Sequence, residues 1–291
     1  MLLVEQMKSE HFSDAEQILV DYILDQPEQL HAMTTTQMAK ITHTNPTSLI
    51  RVAKKLGYNG WTDFRKAYIE EWTYLNSHYN SVDANLPFTK EDSLLNIANK
   101  MATLEQNTIK DTLSLIDYQE LQKAQDLLLK ASEIKLFGSH TNAMISQEFV
   151  TKMRRINRNV SIASTYHYID YEAFHSTPDM CAIVISYTGE NEVMLKCLEM
   201  LKANNVPIIS LTNIGSNTIA SLSDCSLRIT TREKLYSKIG NFTSNTSIIY
   251  LLNLLYSVVF AKDYDRNLDH IISVGKNFDS RKTNVEIMKE K

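Results

Sequence analysis

CAIVISYTGENEVMLKCLEMLKANNVPIISLT, residues 181–212, reads as strand, loop, helix and strand. CAIVIS and PIISLT are apolar almost throughout instead of alternating, as strands buried on both faces are. A helix-length connection between two strands makes them parallel, because a short hairpin cannot join parallel neighbours. Working outward, IKLF (134–137), VSIA (160–163) and CSLRI (225–229) repeat the short apolar run, with helical stretches between them. Strand and helix in alternation predict a five-stranded parallel sheet flanked by helices. Two further helices are expected ahead of it, from about Ser93 to Leu115 and from Tyr118 to Ala131.

Ligands of such sheets bind beyond the carboxyl ends of the strands. The loops to inspect are therefore GSHTNAMISQEF (138–149) and YTGENEVMLKCLEML (187–201). Each places a glycine, small polar side chains and a helix start after a strand. Free N–H groups of a helix start beside hydroxyls can hold a phosphate with little positive charge. Ser139, Thr141 and Asn142 in the first loop, and Ser186, Thr188 and Asn191 at the second, are the residues this points to. Ordinary helix capping uses the same residue types, so both readings stand at this level. Neither the glycine spacing of dinucleotide-binding folds nor that of a P-loop occurs, and no cofactor is expected.

At 291 residues the chain is long enough for two domains, and 7 glycines with 5 prolines are too few turn formers for an all-β protein. Cys181, Cys197 and Cys225 sit singly in apolar runs, which speaks against a disulfide framework or a metal cluster and for a reducing compartment. The start, MLLVEQMKSEHFSDAEQ, lacks the basic flank, long apolar core and cleavage site of a secretory signal, so a cytoplasmic location is expected. The longest apolar stretch, Ile248 to Ala261, is interrupted by Asn253 and Ser257 and falls short of the roughly 20 residues that cross a bilayer. It reads as a buried helix, and no membrane partner is expected.

The formal charge of −4 comes from 30 Lys and Arg against 34 Asp and Glu, and it conceals a strong asymmetry. Through Ala39 one basic residue faces seven acids, whereas from Lys40 to Lys66 six basic residues face Asp63 alone. Helix signals accompany the basic segment. Ser13 with Glu16 forms a capping box for a helix that Pro27 ends, a short helix follows over Glu28 to Ala32, and the Thr34–Thr36 cluster caps the next. Asn45 before Pro46 then starts a helix that Gly57 closes in a left-handed conformation. Two helices joined by His43 to Asn45 have the spacing of a helix-turn-helix. In the second of them Leu49, Val52, Ala53 and Leu56 form the buried stripe, and Thr47, Ser48, Arg51, Lys54 and Lys55 lie opposite. Thr47, Ser48 and Arg51 are placed to read base edges, with guanine for Arg51, and Lys54 and Lys55 to meet phosphates. The alternative is a small helical bundle with a basic solvated side.

The segment QMAKITHTNPTSLIRVAKKLGYNGWTDFRKAY (37–68) resembles the helix-turn-helix domain of the RpiR family of sugar-phosphate-responsive transcription regulators, through Arg51, Lys54, Lys55, Leu56, Gly57, Tyr58, Gly60, Trp61, Asp63 and Phe64. His43 and Thr44 depart from that pattern, which has glycine and an apolar residue in the turn. Histidine tolerates a left-handed backbone at modest cost. Residues from about 106 to 262 resemble the sugar isomerase (SIS) domain, most clearly in ISYTGENEVMLKCLEMLKANNVPIISLT. Ser186, Thr188 and Gly189 match its phosphate loop, and Asn191 replaces the usual hydroxyl. Gly138, Ser139, His140, Thr141 and Asn142 correspond more loosely to its first loop. GNFTSNTSIIYLL resembles the family segment that completes the pocket, which points to Thr243 and Ser244, although the family arginine is absent.

The resemblance implies an all-α helix-turn-helix domain over residues 1–77, a linker and connecting helix over 78–105, and an α/β SIS domain with a C-terminal helical tail over 106–291. It also implies double-stranded operator DNA and a phosphosugar effector as partners, and a homodimer or higher homo-oligomer joined partly through the helix from about Thr246 to Ala261. A repressor of carbohydrate metabolism is the expected function. The alternative is an aldose-ketose isomerase with an accessory helical domain, which needs a positioned acid-base pair. Glu148, His140, His167 and His175 are the side chains near the loops that could supply it. No catalytic residue is assigned.

Overall fold

The computed structural model describes residues 2–76, 82–163 and 168–289. Helices α1 (Leu3–Ser9), α2 (Asp14–Asp25), α3 (Thr35–Ile41), α4 (Pro46–Lys55) and α5 (Trp61–Asn76) form the amino-terminal domain, with a 3-10 turn at Pro27–His31. One apolar cluster joins them, including Met7, Leu19, Ile23, Leu49, Val52 and Phe64. Ser13 and Glu16 make the expected capping box, and Thr34 makes a second one with Gln37. The sequence reading began at Ser13 and missed α1. Its first N–H groups, of Leu3 and Val4, donate to the Glu71 carboxylate at 2.8 and 3.0 Å, so the cap comes from α5, 68 residues away.

The second half begins with α6 (Leu94–Ser114) and α7 (Tyr118–Lys130). Strand β1 (Ile134–Gly138), helices α8 (His140–Ile145) and α9 (Gln147–Arg154), β2 (Val160–Ile162) and α10 (Ile169–Phe174) follow. Then come β3 (Cys181–Ser186), α11 (Glu192–Ala203), β4 (Ile208–Thr212), α12 (Thr218–Leu222) and β5 (Cys225–Arg228), and last α13 (Phe242–Lys262) and α14 (Tyr264–Phe278). The five strands order as β2-β1-β3-β4-β5, and every pair is parallel, with Ile134 opposite both Val160 and Cys181.

Alternation along each strand builds two cores. Cys181, Ile183 and Ile185 face α7, α9 and α13, whereas Ala182 and Val184 face α11, whose Met194, Cys197, Leu198 and Leu201 are fully buried. The three cysteines are free and buried in these layers. Helix α13 is long and apolar enough to cross a bilayer by length and composition alone. Its Ile248, Leu251, Leu252, Leu255 and Val259 are instead packed on the sheet.

Two expectations need correction. A division between residues 105 and 106 cuts through α6, a single helix that packs along α13. The described part of the expected linker is docked on the second domain: Val82 and Ala84 are buried against Leu104, and Asn85 bonds to Arg232, Lys234 and Ile239. One of its polar residues, Asn85, is thus spent on hydrogen bonds to the second domain.

The sheet order fixes where a ligand can enter. From the middle of the sheet the chain runs outward through β2 after β1 and in the other direction through β4 and β5 after β3. The crevice beyond the ends of β1 and β3 is the point where the winding reverses, and binding crevices form there.

Candidate functional site

A cavity of about 260 Å³ occupies that crevice. Ser139, Thr141 and Asn142 line it from the β1 side, Ser186, Thr188 and Asn191 from the β3 side, and Ser244 from α13. Seven of the eight side chains expected at the ligand site thus converge from three separate segments. Thr243 does not line it: the residue is fully buried and donates both its N–H and its hydroxyl to Glu233. As the second residue of α13 it faces into the helix start and away from the opening.

Several of these groups hold the loops in shape. Asn142 donates to the Ile185 carbonyl at 3.2 Å, Ser186 Oγ accepts from the Gly189 N–H at 3.2 Å, and Asn191 caps α11 through the Met194 N–H at 3.1 Å. Gly189 has φ +69°, and a Cβ there would lie 2.1 Å from the Asn217 side chain. Positive φ and a close approach together leave glycine as the residue that fits. The side chains of Ser139, Thr141, Asn241 and Asn245 make no hydrogen bond among the described residues. They line the cavity as free donors and acceptors.

The residues that sequence reasoning missed give the pocket its charge. Lys238 is the one charged side chain lining it among the described residues, and its ammonium pairs with Glu233 at 2.9 Å. The Glu233 carboxylate, fully buried, also accepts from the Thr243 N–H (2.6 Å), Thr243 Oγ1 (2.8 Å), the Ser244 N–H (3.0 Å) and Ser244 Oγ (2.8 Å). Burial pushes its pKa up, but the Lys238 ammonium and the bonds from Ser244 and Thr243 outweigh it and hold the carboxyl below its usual range. The start of α13 therefore meets an internal anion. No local pattern marks Glu233, because its partners lie five to eleven residues on.

Among the acid-base candidates, Glu148 is exposed and pairs with Lys152 at 3.6 Å on α9, and the His175 ring packs edge-on to Tyr171. Neither lines the cavity. The backbone of His140 begins α8, and His167 lies outside the described residues.

In the amino-terminal domain the turn between α3 and α4 is built as expected. His43 takes φ +52°, and the hydroxyls of Thr42 and Thr44 bond at 2.9 Å where an apolar anchor was missing. Asn45 caps α4 through the Thr47 N–H at 3.0 Å, and Gly57 closes it at φ +87°. Thr47, Arg51 and Lys54 are exposed along one face, and Arg51 and Lys54 have no ion pair among the described residues. Ile50, which sequence reasoning passed over, stands 43% exposed beside them.

Two assignments on α4 are corrected. Ser48 is buried, and Lys55 is bound to Glu16 at 2.7 Å and to the His11 carbonyl at 3.2 Å. The two lie seven residues apart, on the same flank of the buried stripe. The short side chain is covered there, and the long one reaches back to the start of α2. That lysine's hydrogen bond, followed by the Ser13 N–H, holds the Glu16 carboxyl down at about 2. The unfolded value is near 4.3. The stability this pair contributes is thus complete above about pH 4.5 and is lost as pH falls toward 2. Denaturation followed from pH 5 to pH 2 should show this loss in the amino-terminal domain, and Lys55→Ala should remove most of it.

Comparison with known proteins gives two family matches. The model described as "Helix-turn-helix domain, rpiR family" matches residues 1–73, and the SIS domain model matches residues 127–258. An uncharacterized HTH-type transcriptional regulator of Clostridium perfringens is 25% identical across 92% of this chain and 96% of its own. The solved structure of the Vibrio vulnificus NanR protein complexed with ManNAc-6P is 21% identical, with a TM-score of 0.57 over 94% of this chain and 97% of that one. The sugar isomerase domain of an RpiR transcription factor from Sphaerobacter thermophilus overlays 62% of this chain and 98% of its own, with 16% identity and a TM-score of 0.54.

Proposed function

The chain belongs to the rpiR family, its helix-turn-helix domain followed by a SIS domain, and from that premise we propose that it is a transcription regulator, a repressor in the first instance, whose hold on operator DNA is set by a phosphosugar. One observation carries the reading. A cavity at the reversal point of the sheet, rimmed by hydroxyls and amides and lined by the Lys238 ammonium, sits in the same chain as a helix presenting Arg51 and Lys54, which have no ion pair among the described residues.

A phosphoryl group suits the cavity because the Ser139, Thr141, Asn241 and Asn245 side chains make no hydrogen bond among the described residues and Lys238 supplies charge. Since NanR was solved with ManNAc-6P, that compound heads the series to test. A thermal-shift screen of hexose, pentose and hexosamine phosphates against their unphosphorylated sugars will identify the class. Stabilisation by phosphorylated members only is expected. Turnover of any of them would instead favour the isomerase, for which no acid-base pair stands among the described lining residues.

On DNA, Arg51 is the guanine reader, Ile50 offers contact for a thymine methyl, and Lys54 meets a phosphate. Arg51→Ala should cost specific binding ~1–3 kcal/mol and relax base preference, and Lys54→Ala should reduce the salt slope by about one. Anisotropy titrations at two salt concentrations, on DNA selected from a random pool, read both. Arg51→Ala with unchanged preference would remove α4 from the reading role.

A homodimer or higher assembly would place two copies of α4 on successive major-groove faces. Helix α13, expected at the contact, gives most of its apolar side chains to its own sheet. Leu268, Ile272 and Phe278 on α14 are exposed and supply the apolar surface instead.

A further inference from the structure

Residues 230–233, which leave β5 for the pocket, hold two distant parts of the molecule at once. Glu233 holds the start of α13 and Lys238, and its backbone is clamped by Tyr187, whose hydroxyl accepts from the Glu233 N–H at 3.0 Å and donates to the Glu233 carbonyl at 2.9 Å. Tyr187 belongs to the ligand loop, between Ser186 and Thr188. Arg232, one residue earlier, is turned to the amino-terminal domain. Its guanidinium donates to the carbonyls of Tyr74 and, at 3.4 Å, Leu75, and lies 4.3 Å from the centre of the Tyr74 ring. A buried ion pair with Asp111 of α6, at 3.1 Å, fixes its position. The Tyr74 hydroxyl in turn accepts from the Thr231 N–H at 2.5 Å and bonds Thr230 at 3.1 Å.

These are the last carbonyls of α5. A helix leaves its final carbonyls without internal partners, and a cation is the favoured group to fill them. Here that cation comes from the segment that runs from β5 toward the other domain's cavity, next to Glu233 and six residues before the lining Lys238. We propose that Arg232 is the coupling residue through which occupancy of the cavity reaches the DNA-binding domain. A ligand that draws in Tyr187 and Lys238 moves the backbone of Glu233, and with it the grip of Arg232 on the end of α5. Coupling of this kind is a free energy shared by two sites through a contiguous set of contacts. The relay rests on the regulator reading for its purpose, yet its first test needs neither DNA nor sugar.

That test is hydrogen exchange on the full chain without ligand. Tyr187→Phe should raise exchange by about tenfold or more at 229–239 and also at 72–76. Arg232→Lys, which keeps the charge facing Asp111 but loses the fork, should raise 72–76 while 186–191 stays as it was. Combining the two should add nothing further at 72–76. A Tyr187→Phe effect confined to the pocket loops overturns the proposal. Amides of β3 report whether the variants remain folded. Should Tyr187→Phe lose protection there, Tyr74→Phe takes its place: it must loosen 229–233 and 72–76 together, and loosening on one side only overturns the relay.

The second arm adds ManNAc-6P as the probe. Protection at 186–191 should persist in Arg232→Lys while protection at 72–76 disappears. Protection at 72–76 that survives the substitution overturns the relay. A probe that protects neither segment in the unmodified chain counts against the phosphosugar, and the ligand-free exchange then decides the relay by itself.

Discussion

Glu233→Ala will destabilise the second domain by ~3–5 kcal/mol, the range expected when one partner of a buried ion pair is removed and the other is left. Five donors converge on that carboxylate: two N–H groups at the start of α13, the hydroxyls of Thr243 and Ser244, and the ammonium of Lys238. Alanine leaves all five without an acceptor, in a place where the Lys238 side chain is only 12% exposed. Glu233→Gln keeps the shape and one acceptor oxygen but turns an amide N–H₂ toward donors, so it should fall between the parent and alanine. Urea denaturation followed by circular dichroism measures both. Because the folded carboxyl is held below its usual range, its contribution is present above the unfolded pKa and fades as pH drops through the folded one. The gap between the parent and the glutamine variant should therefore narrow on acidification. A Glu233→Ala chain as stable as the parent would mean that water replaces the carboxylate freely.

Lys238→Met will weaken phosphosugar binding by ~2–5 kcal/mol, a loss of roughly 30-fold or more. Two effects add. The ligand loses the one cation that lines the cavity among the described residues, and Glu233, no longer paired, presents its negative charge to an incoming anion. Titration calorimetry with a phosphorylated sugar and its unphosphorylated parent separates charge from shape: the loss should fall on the phosphorylated member alone. Equal losses would show that Lys238 shapes the cavity and does not meet the phosphoryl group. An unchanged affinity would put that group on the loops at Thr141 and Thr188 without help from the ammonium.

The fold was legible wherever its signals are local. Buried parallel strands announce themselves as short apolar runs, and CAIVIS and PIISLT became β3 and β4 almost to the residue. The ends of α4 were written in Asn45, Pro46 and Gly57. The two loops that line the cavity followed from strand ends and helix starts. What could not be read is set by contacts between distant residues. Glu71 capping α1, Lys55 reaching Glu16, and Arg232 pairing with Asp111 span 68, 39 and 121 positions. Ser48 is a different case. It sits at the margin of an apolar stripe, where the rotation of the helix alone leaves open which side a residue takes, and the packing of α4 against α2 and α3 decided it.

The contact beneath Gly189 has a bearing on how such sequences diverge. The loop after β3 rests on the Asn217 side chain so closely that no larger residue at 189 can be accepted while asparagine stays. Asn217 is itself tied down, capping α12 at the Ala220 N–H and donating to the Gly215 carbonyl. A larger residue at 189 would need both a smaller one at 217 and a turn reshaped away from φ +69°, whereas 217 can lose bulk with Gly189 in place. The dependence runs one way, from 189 to 217, and it bears on the cavity from outside its lining.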